Sequence, residues 1–119
     1  MAPLETAIRE LRQILGVDSE SPEWRWLVRK RLSDIKEALS DPQARHWDGW
    51  LTARARTTNR DRHALHARVA ALAAIVLDKL DHETISRELT RLTGDLEHYV
   101  QRVHDLVYDS VSLELGGSE

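Results

Sequence analysis

The chain of 119 residues has no cysteine, three prolines, five glycines and a single methionine. Without cysteine, disulfides and thiolate metal sites are excluded, and nothing in the chain calls for an oxidising compartment. There is no glycine-rich phosphate loop and no Gly-x-Ser-x-Gly elbow, so the common signatures of an enzyme are missing. Long apolar runs are absent too. The longest, Val69 to Leu77, has nine residues, far short of the roughly 20 that span a bilayer. Glu5 and Glu10 stand where a secretory leader would be basic and then apolar, so the expected location is cytoplasmic.

Present instead is helix-forming sequence with a marked periodicity. Ile85, Leu89, Leu92, Leu96, Tyr99, Val103, Leu106, Ser110 and Leu113 follow one another at alternating steps of four and three, and eight of the nine are apolar or aromatic. A seven-residue repeat keeps one stripe of a helix against a partner helix along its whole length. The last helix therefore runs from Asp81 to Leu115 and organises the rest. The fold class is all-α: an antiparallel bundle of three to four helices, one domain over 1–119, built on a hairpin of helices three and four.

Helix one covers roughly Pro3 to Leu15, with Leu4, Ile8, Leu11 and Leu15 as its stripe, and Gly16 offers a left-handed cap. Ser21-Pro22-Glu23 starts helix two, an N-cap, a proline at the first helical position and an acid in the first turn. Its inward residues are Trp24, Leu27, Val28, Leu32, Ile35 and Leu39, with Trp26 at the edge or on the surface. Ser40-Asp41-Pro42 repeats this start signal, which folds helix two back on helix three as a tight hairpin. Helix three then reaches about Lys79 along Trp47, Trp50, Leu51, Ala55, Thr58, Arg62, Leu65, Val69, Leu72 and Val76. Gly49 is its weak point, and its polar middle admits a break between Thr57 and Asp61. Asp81 is the N-cap of helix four, and Gly116 and Gly117 end it.

The net charge of −3 conceals a polarity along the chain. Residues 24–68 carry eleven Lys/Arg against five Asp/Glu, whereas residues 69–119 carry four against ten. With helices three and four antiparallel about the turn at 80–81, position 65 falls level with about 97. The arginines of helix three then lie beside the acids of helix four, and the charges are satisfied within one hairpin. Such a split can also mark a nucleic-acid or anionic-membrane surface.

A second stripe on helix four, Val100, His104, Val107 and Val111, implies a third helix beside its C-terminal half. The turn at Ser40–Pro42 would supply helix two there, level with residues 42–60 and 100–115. The upper hairpin then needs cover of its own. Either helix one or a second copy packs on Val69, Leu72, Ile75, Val76, Leu89 and Leu92, and a homodimer is the favoured reading.

Six histidines raise a metal alternative. His63 and His66 share one face of helix three, Glu97 and His104 share one of helix four, and the antiparallel pairing places all four on one flank. They could serve a transition metal ion; the structural reading is that they are flank residues, with no cofactor. His46 and His82 lie at helix starts and are expected to be exposed. A second alternative is Trp24-Arg25-Trp26-Leu27-Val28-Arg29-Lys30-Arg31, where bases interleave with aromatics. With Arg54 and Arg56, the residues Arg25, Arg29, Lys30 and Arg31 could hold a nucleic-acid backbone or an acidic surface. The bland reading is a buried tryptophan stripe beside a solvated basic face.

Two resemblances bear on these readings. His104 followed by Asp109 resembles the His-x4-Asp element of hemerythrin-like proteins, but that family's remaining ligand pattern is missing. The run Glu97-His98-Tyr99-Val100-Gln101-Arg102-Val103-His104-Asp105-Leu106 and the tail Leu113-Glu114-Leu115-Gly116-Gly117-Ser118-Glu119 resemble small uncharacterised actinobacterial proteins. The likeness extends toward Pro22-Glu23-Trp24-Arg25-Trp26 and implies a source but no activity. The expected role is a non-catalytic interaction module, partnered by a second copy or another protein.

Overall fold

A computed structural model describes residues 2–16, 22–40, 52–78 and 81–117, with the side chains of 2, 52–55 and 110–117 outside the description. Four helices account for nearly all of it: α1 (Ala2–Leu15), α2 (Pro22–Leu39), α3 (Thr52–Ile75) and α4 (His82–Gly117). At about 1.5 Å per residue, the 36 residues of α4 match the 59 Å long axis of the molecule. The fold is the expected all-α antiparallel bundle, with every neighbouring pair of helices running in opposite directions.

The heptad of α4 is its buried face. Ile85, Leu89, Leu92, Leu96, Tyr99, Val103 and Leu106 are all buried. The register with α3 is fixed by two ion pairs across the join, Arg68–Asp95 at 2.6 Å and Arg102–Asp61 at 3.2 Å. Position 65 therefore lies close to level with 97 or 98, as the sequence predicts. One pair joins a base on α3 to an acid on α4, and the other reverses the sense. The turn between them ends at Asp81. Its carboxylate is held below the ordinary range chiefly by the hydrogen bond from the Thr84 side chain, against some desolvation and with help from the Thr84 backbone. This is an N-cap as expected.

Helix two departs from expectation. Arg25 Nη1 donates to the carbonyls of Val76 (2.9 Å) and Asp78 (3.1 Å), and Arg62 Nη1 donates to that of Leu39 (2.7 Å). Hence α2 lies along the upper half of α3, level with about 62–78, and not along 42–60. The expectation rested on a tight turn at Ser40–Pro42, and Asp41 to Leu51, with Gly49 and the tryptophans 47 and 50, lies outside the described residues. The physical reason is that the upper half of α3 carries the apolar surface. Val69 and Val76 are fully or almost fully buried there, whereas Thr57 to Asp61 offers little to cover.

Helix one fills the fourth corner. His104 Nε2 meets Glu5 at 2.8 Å, Arg12 pairs with Glu97, and Arg31 on α2 pairs with Glu10 at 2.9 Å. The second stripe of α4 thus receives α1 and not helix two: Val100 is buried, His104 is engaged, and Val107 is left exposed. Leu4, Ala7, Ile8 and Leu11 enter the common core with Trp24, Val28, Leu32, Ile35 and Leu39. Two smaller expectations also change. Gly16 donates to the Arg12 carbonyl and continues the last turn without a left-handed backbone, and α3 runs unbroken through Thr57–Asp61.

Four helices around one core remove the reason for a second copy on the upper hairpin. Val69, Val76, Leu89 and Leu92 are buried within the single chain, Leu72 is partly buried, and Ile75 alone of the expected interface is exposed. The four buried ones are core.

Candidate functional site

The histidine grouping is not assembled. Successive helical residues turn by about 100°, so Asp61 and Arg68, which face α4, leave His63 and His66 about 140–200° round α3. Arg62, between Asp61 and His63, reaches the end of α2, and its Nη2 lies 3.4 Å from His63 Nε2. Glu97 and His104 occupy the other flank of α4, where Arg12 and Glu5 of α1 take them. Among the described residues no three His, Asp or Glu side chains converge as metal ligands would. His98 instead lines a shallow groove of about 200 Å³ with Asp61, Arg68, Asp95 and Arg102, where acids and bases alternate. His82 is half-buried, not exposed: its ring packs on Trp24 with centroids 4.5 Å apart. Trp24 in turn donates from Nε1 to the Ile14 carbonyl at 3.2 Å, which ties α1, α2 and the start of α4 together.

The basic candidates are similarly divided. Arg25 is spent on the carbonyls at the end of α3, and Arg31 on Glu10 and on Asp34 at 3.4 Å. The side chain of Arg54 lies outside the described residues, and Arg56 is exposed on α3, remote from the α2 pair. Arg29 and Lys30 remain outward on α2, and Arg29 stands 5.5 Å over the Trp26 ring, a cation–π contact. A nucleic-acid surface made of all six residues is therefore not formed.

α2 also presents two apolar side chains outward. Its core stripe is Trp24, Val28, Leu32, Ile35 and Leu39. Leu27, expected inside, is 43% exposed, and Trp26 is 59% exposed. They are adjacent in sequence and straddle the outer face, with Glu23 one turn before and Lys30 one turn after, both exposed. Sequence periodicity could have found Leu27, since it lies about 100° from both Trp26 and Val28 and cannot share the stripe that Val28 and Leu32 define. Tyr108 on α4 is also exposed, and Tyr99 is buried in the seam. Burial raises the Tyr99 phenol above the usual tyrosine value, with the nearby Arg62 charge opposing.

No protein-family model, curated protein or solved structure matches the chain.

Proposed function

We propose that the protein is a non-catalytic interaction module whose contact surface is the outer face of α2. The observation that carries this reading is the pair Trp26 and Leu27, adjacent and outward on a helix whose other large apolar residues are buried. An exposed tryptophan on a rigid element is the kind of anchor around which protein interfaces concentrate their binding energy. Ordered packing supports the anchor from behind. Arg25 fixes the first turn of α2 to α3, Trp24 fixes it to α1, and Arg62 holds its last carbonyl. The polar side chains elsewhere join helix to helix: Arg12 to Glu97, Arg31 to Glu10, Arg68 to Asp95, Arg102 to Asp61. That is a scaffold's use of charge.

The test is a comparison of stability. Residues turned outward for binding contribute little to the fold, so Trp26→Ser with Leu27→Ser should leave Tm within about 2 °C of the parent. A fall of more than about 5 °C would place both residues in the fold and remove the reading.

A further inference from the structure

The outer face of α2 carries more pattern than its two apolar residues. Glu23, Trp26, Leu27 and Lys30 are all exposed and fall on one side of the helix, away from the buried stripe. Glu23 and Lys30 are seven residues apart, about 10.5 Å along the axis. They cannot meet within one helix, and neither makes an ion pair among the described residues. Opposite charges thus flank the apolar pair at equal distances, one before it and one after.

Such an arrangement is complementary to itself when reversed. We propose, building on the reading of this face as a contact surface, that its occupant is a second copy of the chain. The two α2 helices cross antiparallel about a two-fold axis between Trp26 and Leu27. Trp26 then lies on Leu27 of the second copy, and Glu23 lies opposite Lys30, each contact occurring twice. A two-fold contact uses the same patch on both chains and requires this kind of internal symmetry. Charge selects the register. An axis at Lys30 would place Lys30 on Lys30 and Glu23 on Glu37, like against like, whereas the axis between Trp26 and Leu27 pairs opposites. Across an interface like charges are costly and opposite charges fix register.

One helix face on another is a small interface, at the low end of specific contacts, so the dimer is weak and concentration-dependent. The face differs from the upper hairpin of α3 and α4, whose apolar residues are already covered.

The experiment is sedimentation equilibrium from about 10 μM to 1 mM, a range that brackets weak dimers, on four proteins that fold alike by circular dichroism. These are the parent, Glu23→Lys, Lys30→Glu and the double exchange. The parent should dimerise. Each single reversal sets like charges together at two symmetric places and should weaken the dimer by about tenfold. The double exchange should restore it. An equimolar mixture of the two single variants should also pair, because each supplies the charge the other lacks.

Three results would overturn the proposal. A parent monomeric at 1 mM removes the second copy, while the contact-face reading stands if the Trp26 and Leu27 variants keep their Tm. A dimer indifferent to all three charge variants means another surface is used. A dimer weakened by the single reversals and not rescued by the exchange rejects the register. Failure of the contact-face reading shows itself separately, as lost stability in Trp26→Ser with Leu27→Ser.

Discussion

Arg62 offers the sharpest test of how the bundle is held. It is 4% exposed, in the middle of a seam otherwise made of Leu65, Val69 and Val76, and its Nη1 donates to the Leu39 carbonyl at 2.7 Å. That carbonyl belongs to the last turn of α2, where the helix leaves acceptors unsatisfied and its dipole is negative. A hydrogen bond from a charged donor contributes about 1.5–3 kcal/mol. The buried stem adds packing that an alanine would lose. Against this stands the cost of burying a guanidinium whose Nε has no partner. Arg62→Ala should therefore destabilise by about 3 kcal/mol. For a chain of this length that is a fall in Tm of roughly 10 °C. Arg62→Met refills the space of the stem without the donor, and should cost about half as much. Urea denaturation gives the free energies. Hydrogen exchange should show the loss of protection concentrated at the end of α2 and the facing turn of α3. If Arg62→Met proves as stable as the parent, the link to Leu39 contributes nothing and the guanidinium is merely tolerated.

Two further outcomes test the core and the histidines. Tyr99 should make the protein sensitive to alkali. Its phenol is raised by burial, so above pH of about 10 the unfolded chain releases a proton that the folded chain keeps. The stability it contributes is intact below that value and lost as the pH rises through the folded pKa. Tyr99→Phe should flatten the alkaline limb of a plot of Tm against pH, and an unchanged limb would show that Tyr99 ionises as freely folded as unfolded. Zinc added to protein without a tag should leave Tm unmoved, since His63 and His66 lie round α3 from the flank where Glu5 and Arg12 hold His104 and Glu97. A saturable rise of several degrees would refute that geometry, because binding to the folded state alone stabilises it.

Much of the fold is legible because the strongest signals are one-dimensional. A stripe that repeats every seven residues names the buried face of α4 through Leu106 without reference to any partner. A hairpin's register then follows from its turn, which is why Asp95 and Arg68 meet where the count from 80–81 puts them. What does not follow is the level of α2 along that hairpin. The 18 residues of α2, about 27 Å long, could slide along a hairpin twice that length. Their own stripe fits either half equally well. The information lay on α3 instead: Val69 to Leu77 is apolar nearly all round, and Thr57 to Asp61 is polar. A helix apolar on every side needs more than one neighbour, so α2 joins α4 against it at the top.

The same contrast explains the histidines and Arg62. Spacing shows that His63 and His66 share a face with each other, and that Glu97 and His104 do. It cannot show whether the two faces meet, because that depends on which flank of each helix its neighbours occupy. Asp61 and Arg68 turn out to occupy the shared flank, and every residue about 140–200° away is thereby turned elsewhere. A charge in an apolar seam signals a buried partner at Arg62. Here the acceptor is a backbone carbonyl at the end of another helix, which carries no residue type for a sequence to reveal. Side-chain partners across the bundle can be sought by charge; backbone partners appear only once the level of α2 is known. With α2 placed half a hairpin too low, the link at Leu39 is hidden, and a second copy is invited onto a surface that the chain largely covers by itself.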